Sequence, residues 1–209
     1  MRRLTLIRHG LTDWNRCGRF QGRSDVPLTE AGREQARRLH GRAPELGHVD
    51  ALVSSPSLRA SQTAELAFPD YPLERDERLR EIDFGVFEGR TMPENQAHPA
   101  WGWWTSDPIR RPAPRGESYG GLQVRAVAWL EEAGERWSGA HVVAVSHSGT
   151  IQMLLAHLFG VARPRWTTRV DIGHTAISQV RFEAGMTVIE RINDVGHLVA
   201  QTGDGGFGA

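Results

Sequence analysis

The chain has 209 residues, 39% of them hydrophobic, which is enough to bury a full core and fits one α/β domain. Lysine and arginine number 25 and aspartate and glutamate 25, so the formal charge is zero; no overall field draws nucleic acid or acidic lipid, and an anion site has to be local. Cys17 is the single cysteine, which excludes an internal disulfide and suits a reducing compartment, and no apolar run reaches the length of a membrane span.

In chain order, Leu4–Arg8 alternates as a strand and runs straight into His9 and Gly10. A polar loop follows to Leu28. Thr29 then reads as the N-cap of a helix with Glu30, Ala31, Ala36 and Leu39 on one face. Ala51–Ser54 is a second strand; the turn Ser55-Pro56-Ser57 places Ser57 as the cap of a helix carrying Leu58, Arg59, Thr63 and Leu66. Leu79–Gly85 is turn-like and holds Glu81 beside apolar neighbours. From Trp101 to Arg115, tryptophans, arginines and prolines follow no clean period, so this stretch reads as a cover over a pocket rather than a nucleic-acid groove. His141–Val145 suits a buried parallel strand; Ser146-His147-Ser148-Gly149-Thr150 follows, then an apolar helix from Ile151 to Phe159. Ile177–Phe182 and Thr187–Ile192, separated by Ala184-Gly185, read as a closing hairpin. The glycine-rich residues 201–209 precede no helix and are expected to form a flexible tail after a single domain over 1–200.

Chemistry-bearing residues collect where strands end. Arg8 and His9 follow the first strand, Arg59 the second and His147 a later one, and ligands in α/β sheets bind at such ends. If these ends converge, the site holds two imidazoles, two guanidiniums and the Glu81 carboxyl. Phosphoryl transfer spreads charge over three oxygens, so fixed positive donors do most of the work. Arg8 and Arg59 can fork onto those oxygens, with His147 and the Asn15 amide as further donors. One imidazole, unprotonated, would attack phosphorus, and Glu81 would protonate the leaving oxygen and later take a proton from water. A metal centre finds no support in nine histidines that form neither a His-x-x-x-His pair nor a His-Glu-x-x-His motif. Ser146-His147-Ser148-Gly149 likewise makes no nucleophile elbow.

Taken in order, Arg8-His9-Gly10 with Asn15, Arg19-Phe20-Gln21-Gly22 leading to Asp25-Val26-Pro27-Leu28-Thr29, Ser54-Ser55-Pro56 with Arg59 and Thr63, Leu79-Arg80-Glu81 with Gly85, Glu88 and Gly89, and Ser146-His147 before Gly149 resemble the histidine phosphatase superfamily, in its phosphoglycerate-mutase-like branch. Asn193-Asp194 with His197-Leu198 resembles that family's ending. The resemblance implies a three-layer α/β/α fold with a mostly parallel central sheet and a small cap excursion over about 90–119. It implies His9 as the phosphorylated nucleophile, Arg8, Arg59 and His147 as the phosphate pocket, Glu81 as proton donor, and Asn15, Gln21, Gly22 and Ser148 as lining residues. No cofactor and no metal are expected.

Departures from the family pattern sit at Leu11, Ser148 and Gly120-Gly121, which border the substrate rather than the transferred phosphate. The short excursion and Arg19-Phe20-Gln21-Gly22 favour a phosphatase acting on a small phosphorylated metabolite over a cofactor-dependent phosphoglycerate mutase. A catalytically silent binder of phosphorylated ligands is the third reading; an intact Glu81 argues against it. Within the middle segment, Trp101, Trp103, Trp104, Arg110, Arg111 and Arg115 either wall a substrate pocket or fill the cap's own core. The expected setting is cytoplasmic, without nucleic-acid or membrane partners, and with a homodimer allowed for.

Overall fold

The computed structural model describes residues 1–161 and 170–199. Its strands are β1 (Arg3–Arg8), β2 (Ala51–Ser54), β3 (Leu73–Arg75), β4 (His141–Ser146), β5 (Ile177–Glu183) and β6 (Met186–Asp194). The helices are α1 (Asp13–Arg16), α2 (Glu30–His40), α3 (Leu58–Ala67), α4 (Met92–Gln96), α5 (Trp101–Thr105), α6 (Tyr119–Arg136) and α7 (Ser148–Leu158). Single turns of 3-10 helix lie at Ala43–Leu46, Glu77–Leu79, Gly85–Phe87 and Gly196–Leu198.

The strands form one sheet in the order β3-β2-β4-β1-β5-β6. The first four run parallel, and β5 pairs antiparallel with both β1 and β6. Side chains alternate across a strand, so β4 divides its burial between two layers. Val142 and Ala144 join Leu4 and Leu6 against Trp129, Ala126 and Ala133 of α6 and Ile151, Leu154 and Leu155 of α7. Val143 and Val145 join Ile7 and Leu52 against Leu39 of α2 and Ala60, Ala64 and Ala67 of α3. The expected three-layer, mostly parallel architecture is therefore present.

Several local expectations need correction. On α2 the buried residues are Gly32, Ala36 and Leu39, spaced by four and three, while Glu30 and Ala31 face outward. Thr29 does cap this helix, its hydroxyl accepting the Gly32 N–H at 3.0 Å. Ser57 flanks α3 without capping it; the Asp25 carboxylate takes that part by accepting the Leu58 N–H at 2.6 Å. Apart from the buried Arg59, the buried side of α3 is made of small residues, Ala60, Ser61, Thr63, Ala64 and Ala67, with Leu58 exposed, because a helix packed closely on the sheet has no room for leucine there. The helix expected at Ile151 begins three residues earlier, at Ser148. Neither β3 nor the long α6 was anticipated. The hairpin turn puts Ala184 at φ 48° and Gly185 at φ 80°, two positive values that match the twist of its strands. The tail at 201–209 lies outside the described residues.

The excursion between the sheet's strands carries α4 and α5 and has a small core of its own. Phe87, Trp104 and Ala113 are buried there, with Phe20, Phe84, Trp101 and Tyr119 packed around them. Of the two alternatives for the tryptophans, Trp101 and Trp104 thus fill the cap core. Trp103 is exposed, and Arg111 lies over its ring at 5.3 Å. Among the described residues no helix is long and apolar enough to cross a membrane.

Candidate active site

The site is built where β1 and β4 end side by side. Arg8 pairs with Ser146, and the His9 N–H continues the ladder onto the Ser146 carbonyl at 3.0 Å. Parallel pairing in that register brings the next residue of each strand together, so His9 and His147 face one another with ring centroids 5.1 Å apart. The crossover topology alone achieves this, since the two histidines are far apart in the chain.

His9 is buried, and its Nδ1 lies 2.7 Å from the Gly10 carbonyl oxygen. A carbonyl only accepts, so Nδ1 carries the proton and the lone pair is on Nε2. Gly10 is itself fixed, donating its N–H to Thr63 Oγ1 of α3 at 3.0 Å. A Cβ on Gly10 would stand 2.6 Å from the Gly32 carbonyl oxygen, so the loop after β1 crosses α2 at a distance that only glycine permits.

Two guanidiniums flank the histidines. Arg59, from the first turn of α3, is fully buried and donates to the carbonyls of Gly22 at 2.8 Å and Ser24 at 3.0 Å. Glu88 grips the same loop from the other side, accepting the backbone N–H of Arg23 at 2.6 Å and of Ser24 at 2.9 Å. Arg8 donates through Nη1 to the Ile172 carbonyl at 2.5 Å. The Nε atoms of both Arg8 and Arg59 are buried without a partner among the described residues.

Glu81 is buried and held by two backbone donors: its own neighbour Ile82 onto Oε1 at 3.0 Å, and Gly149, in the first turn of α7, onto Oε2 at 2.9 Å. The segment carrying it is braced by Arg125 of α6, which donates to the Arg78, Arg80 and Glu81 carbonyls at 2.6 to 2.9 Å and pairs with Glu117. That unanticipated helix therefore braces the backbone of the segment that carries Glu81.

The lining residues divide. Asn15 closes a capping box on α1, its backbone N–H donating to the Thr12 hydroxyl oxygen at 3.2 Å and its Oδ1 accepting the Thr12 backbone N–H at 3.4 Å. Gln21 is buried with Oε1 2.6 Å from the same hydroxyl, and its Nε2 has no partner among the described residues. Gly22 offers its carbonyl to Arg59 rather than a bare backbone surface. Ser148 is half-buried at the start of α7, and its side chain makes no hydrogen bond to another described residue.

The sequence gives no sign of His174, whose ring centroid lies 5.8 Å from that of His9. Its Nδ1 and the Thr175 N–H both approach the His9 carbonyl oxygen, each at 3.3 Å. Thr175 is buried with φ 55°, a backbone region that branched residues rarely enter, and its hydroxyl meets His197 Nε2 at 2.7 Å. Asn193 Oδ1 accepts the Gly173 N–H at 2.7 Å. The block from Asn193 to His197 thus serves as a brace for the segment behind His9. No strand or helix pattern surrounds His174 in the sequence, so its place was not legible there.

Electrostatics follow from burial among guanidiniums. Burial, then the charges of Arg59 and Arg8, hold the His9 imidazole well below its usual range. Burial and Arg59 do the same to His147, and burial with Arg8 lowers His174 to about 4. All three rings are neutral near pH 7. Burial lowers Arg59 to about 10, which leaves it charged. Three neutral imidazoles thus stand with the half-buried Arg8 and the fully buried Arg59. Among the described residues no cluster of three histidine, cysteine, aspartate or glutamate side chains is arranged to hold a metal.

The chain is similar to known proteins over nearly its whole length. The family model of the histidine phosphatase superfamily (branch 1) matches residues 4–195. A curated protein of Hydrogenobacter thermophilus named "Putative phosphoserine phosphatase 2" is 33% identical over 94% of this chain and 98% of its own length. One of Escherichia coli named "Probable phosphoglycerate mutase GpmB" is 32% identical over 96% of both chains. Phosphoserine phosphatase of Entamoeba histolytica, solved with phosphoserine, superposes with a TM-score of 0.84 at 29% identity, covering 95% of this chain and 100% of that one.

Proposed function

We propose, from the premise that this chain belongs to the histidine phosphatase superfamily (branch 1) and is one of its enzymes, that it hydrolyses a small phosphomonoester through a phosphohistidine on His9. The observation that carries the reading is the lock between His9 Nδ1 and the Gly10 carbonyl at 2.7 Å, which leaves a lone pair on Nε2 of a ring that feels the charges of Arg59 and Arg8 and has the His147 ring 5.1 Å away.

In this reading the phosphoryl group lies against His9, with its oxygens facing Arg8, Arg59, His147 and the free Gln21 amide. Nε2 forms a bond to phosphorus as the ester oxygen departs, and Glu81, entering as the acid, gives that oxygen its proton. The proton stays on Nδ1, hydrogen-bonded to the Gly10 carbonyl oxygen, which stabilises the positive charge growing on the ring. Glu81, now a carboxylate, takes a proton from water as that water attacks phosphorus; phosphate leaves, and His9 and Glu81 return to their starting forms. The positive field comes from guanidiniums, and no metal takes part.

Hydrolysis of an aryl phosphate, trapping of an acid-labile phosphoenzyme, and loss of both in His9→Ala test this reading. Turnover should be unchanged by a chelator. Assaying phosphorylated metabolites, including phosphoserine and 3-phosphoglycerate with and without a bisphosphate cofactor, separates hydrolase from mutase. The curated relative that bears a mutase name supports keeping that second reading in the panel. Tight phosphopeptide binding without turnover would leave only the binding module.

A further inference from the structure

Ser55 leaves β2 one residue before the Pro56-Ser57 turn, and its backbone N–H is tied to the Val145 carbonyl of β4 at 2.9 Å. Its side chain is fully buried and lies 2.8 Å from His147 Nε2. His147 is equally buried, and its other ring nitrogen, Nδ1, has no partner among the described residues. A neutral imidazole has one donor and one acceptor nitrogen. The direction of the Ser55 hydroxyl therefore decides what Nδ1 is.

Ser55 Oγ accepts the Ser57 backbone N–H at 3.3 Å. Its single proton can go to His147 Nε2 at 2.8 Å or to Ser57 Oγ at 3.3 Å. The first distance is ordinary for a hydroxyl donating to nitrogen and the second is long. Arg80 Nη1 also donates to Ser57 Oγ at 3.3 Å, so that oxygen already has a donor. The proton belongs on the bond to His147, which makes Nε2 the acceptor and leaves the ring proton on Nδ1. A buried donor without an acceptor is costly, and it is relieved when an acceptor arrives. With His9 only 5.1 Å away, the group that arrives is the one that sits against His9.

We infer that Ser55 is a positioning residue: it holds neutral His147 in the Nδ1–H tautomer, so that Nδ1 donates to an oxygen of the bound phosphoryl group. This rests on the proposed reading only for the identity of that group. It explains how a second imidazole can help bind an anion without carrying charge among Arg8, Arg59 and Arg125.

The test is nitrogen-15 NMR of histidine-labelled full-length protein at neutral pH, with the His147 signals assigned by their loss in His147→Gln. The expected result is a lone-pair Nε2 and a protonated Nδ1, with Nδ1 shifting when inorganic phosphate or vanadate is added. Ser55→Ala should move the proton wholly or partly to Nε2 and weaken phosphate and vanadate binding by about tenfold, the loss of one hydrogen bond to a charged group. Ser55→Thr, which restores a hydroxyl, should return both. An Nε2–H tautomer or an imidazolium in the wild-type protein overturns the inference, as does a Ser55→Ala variant with unchanged tautomer and affinity. If Ser55→Ala does not fold, the wild-type spectrum decides alone. The tautomer is read without substrate, so failure of the hydrolase reading in the aryl phosphate assay is a separate outcome.

Discussion

Gly149 and Glu81 are fitted to each other: the Gly149 N–H reaches Glu81 Oε2 at 2.9 Å, and a methyl group on Gly149 would stand 2.5 Å from Oε1 of the same carboxyl. The helix start that follows His147 therefore fixes the carboxyl by contact as well as by hydrogen bond. Gly149→Ala should displace the Glu81 side chain and lower kcat on the order of 100-fold or more, the lower end of what a placed proton donor contributes. Alanine is the better helix former, so the thermal midpoint should fall far less than activity does. Activity and melting, measured on the same preparation, check the split.

Glu81→Gln keeps the shape of the side chain and removes its acid. Turnover should slow strongly for alkyl phosphates, whose leaving oxygen needs a proton, and little for a nitrophenyl ester, whose leaving group departs as the anion. A leaving-group series decides it; equal slowing across the series would take Glu81 out of the donor role.

Arg8 and Arg59 should separate into two kinds of loss. Arg8→Ala removes one preorganised cation and should cost on the order of 3 kcal/mol in kcat/KM. Arg59→Ala should lose at least as much and also lower the melting temperature, because Arg59 is fully buried and secures the Gly22 and Ser24 carbonyls, which would be left without donors. Thermal melts of the two variants beside their kinetics should show the larger fall for Arg59, which leaves two carbonyls without donors where Arg8 leaves that of Ile172.

His9, His147 and His174 are neutral in the folded protein because burial and nearby arginines lower all three. In the unfolded chain each takes up a proton below about pH 6.5. The unfolded state then binds more protons than the native one, so stability falls as pH drops through that value toward the lowered native range. Each ring contributes up to about 1.4 kcal/mol per pH unit. Denaturant unfolding at pH 7, 6 and 5 should show this decline, and it should be smaller in a variant with His174 replaced.

How much of the site was legible in the sequence depends on the scale of the signal. Strand ends were legible because β1 and β4 alternate or run apolar and stop abruptly at polar residues, which placed His9 and His147 at the carboxyl edge of a sheet. Arg59 was placed by the end of the second strand and Glu81 by a turn beside apolar neighbours, and the ordered motifs then tied both to the histidines. His174 was not found, since what makes it a neighbour of His9 is the left-handed backbone at Thr175 and the brace from Asn193 and His197, all contacts distant in sequence. Arg125 was missed for the same reason, as its value lies in the carbonyls it collects from another segment.

By itself the sequence determined the local chemistry: an α/β pattern, a neutral overall charge that confines anion binding to a site, and the residue types that phosphoryl transfer requires. Hydrophobic spacing and capping act within a few residues and are written in the chain order. Only the tertiary structure decided which ring nitrogen of His9 is free, that small residues rather than leucines seat α3, that Trp101 and Trp104 serve the cap core, and that α6 braces Glu81. These follow from strand order and close packing, in which residues remote along the chain compete for the same space and the same hydrogen-bond donors.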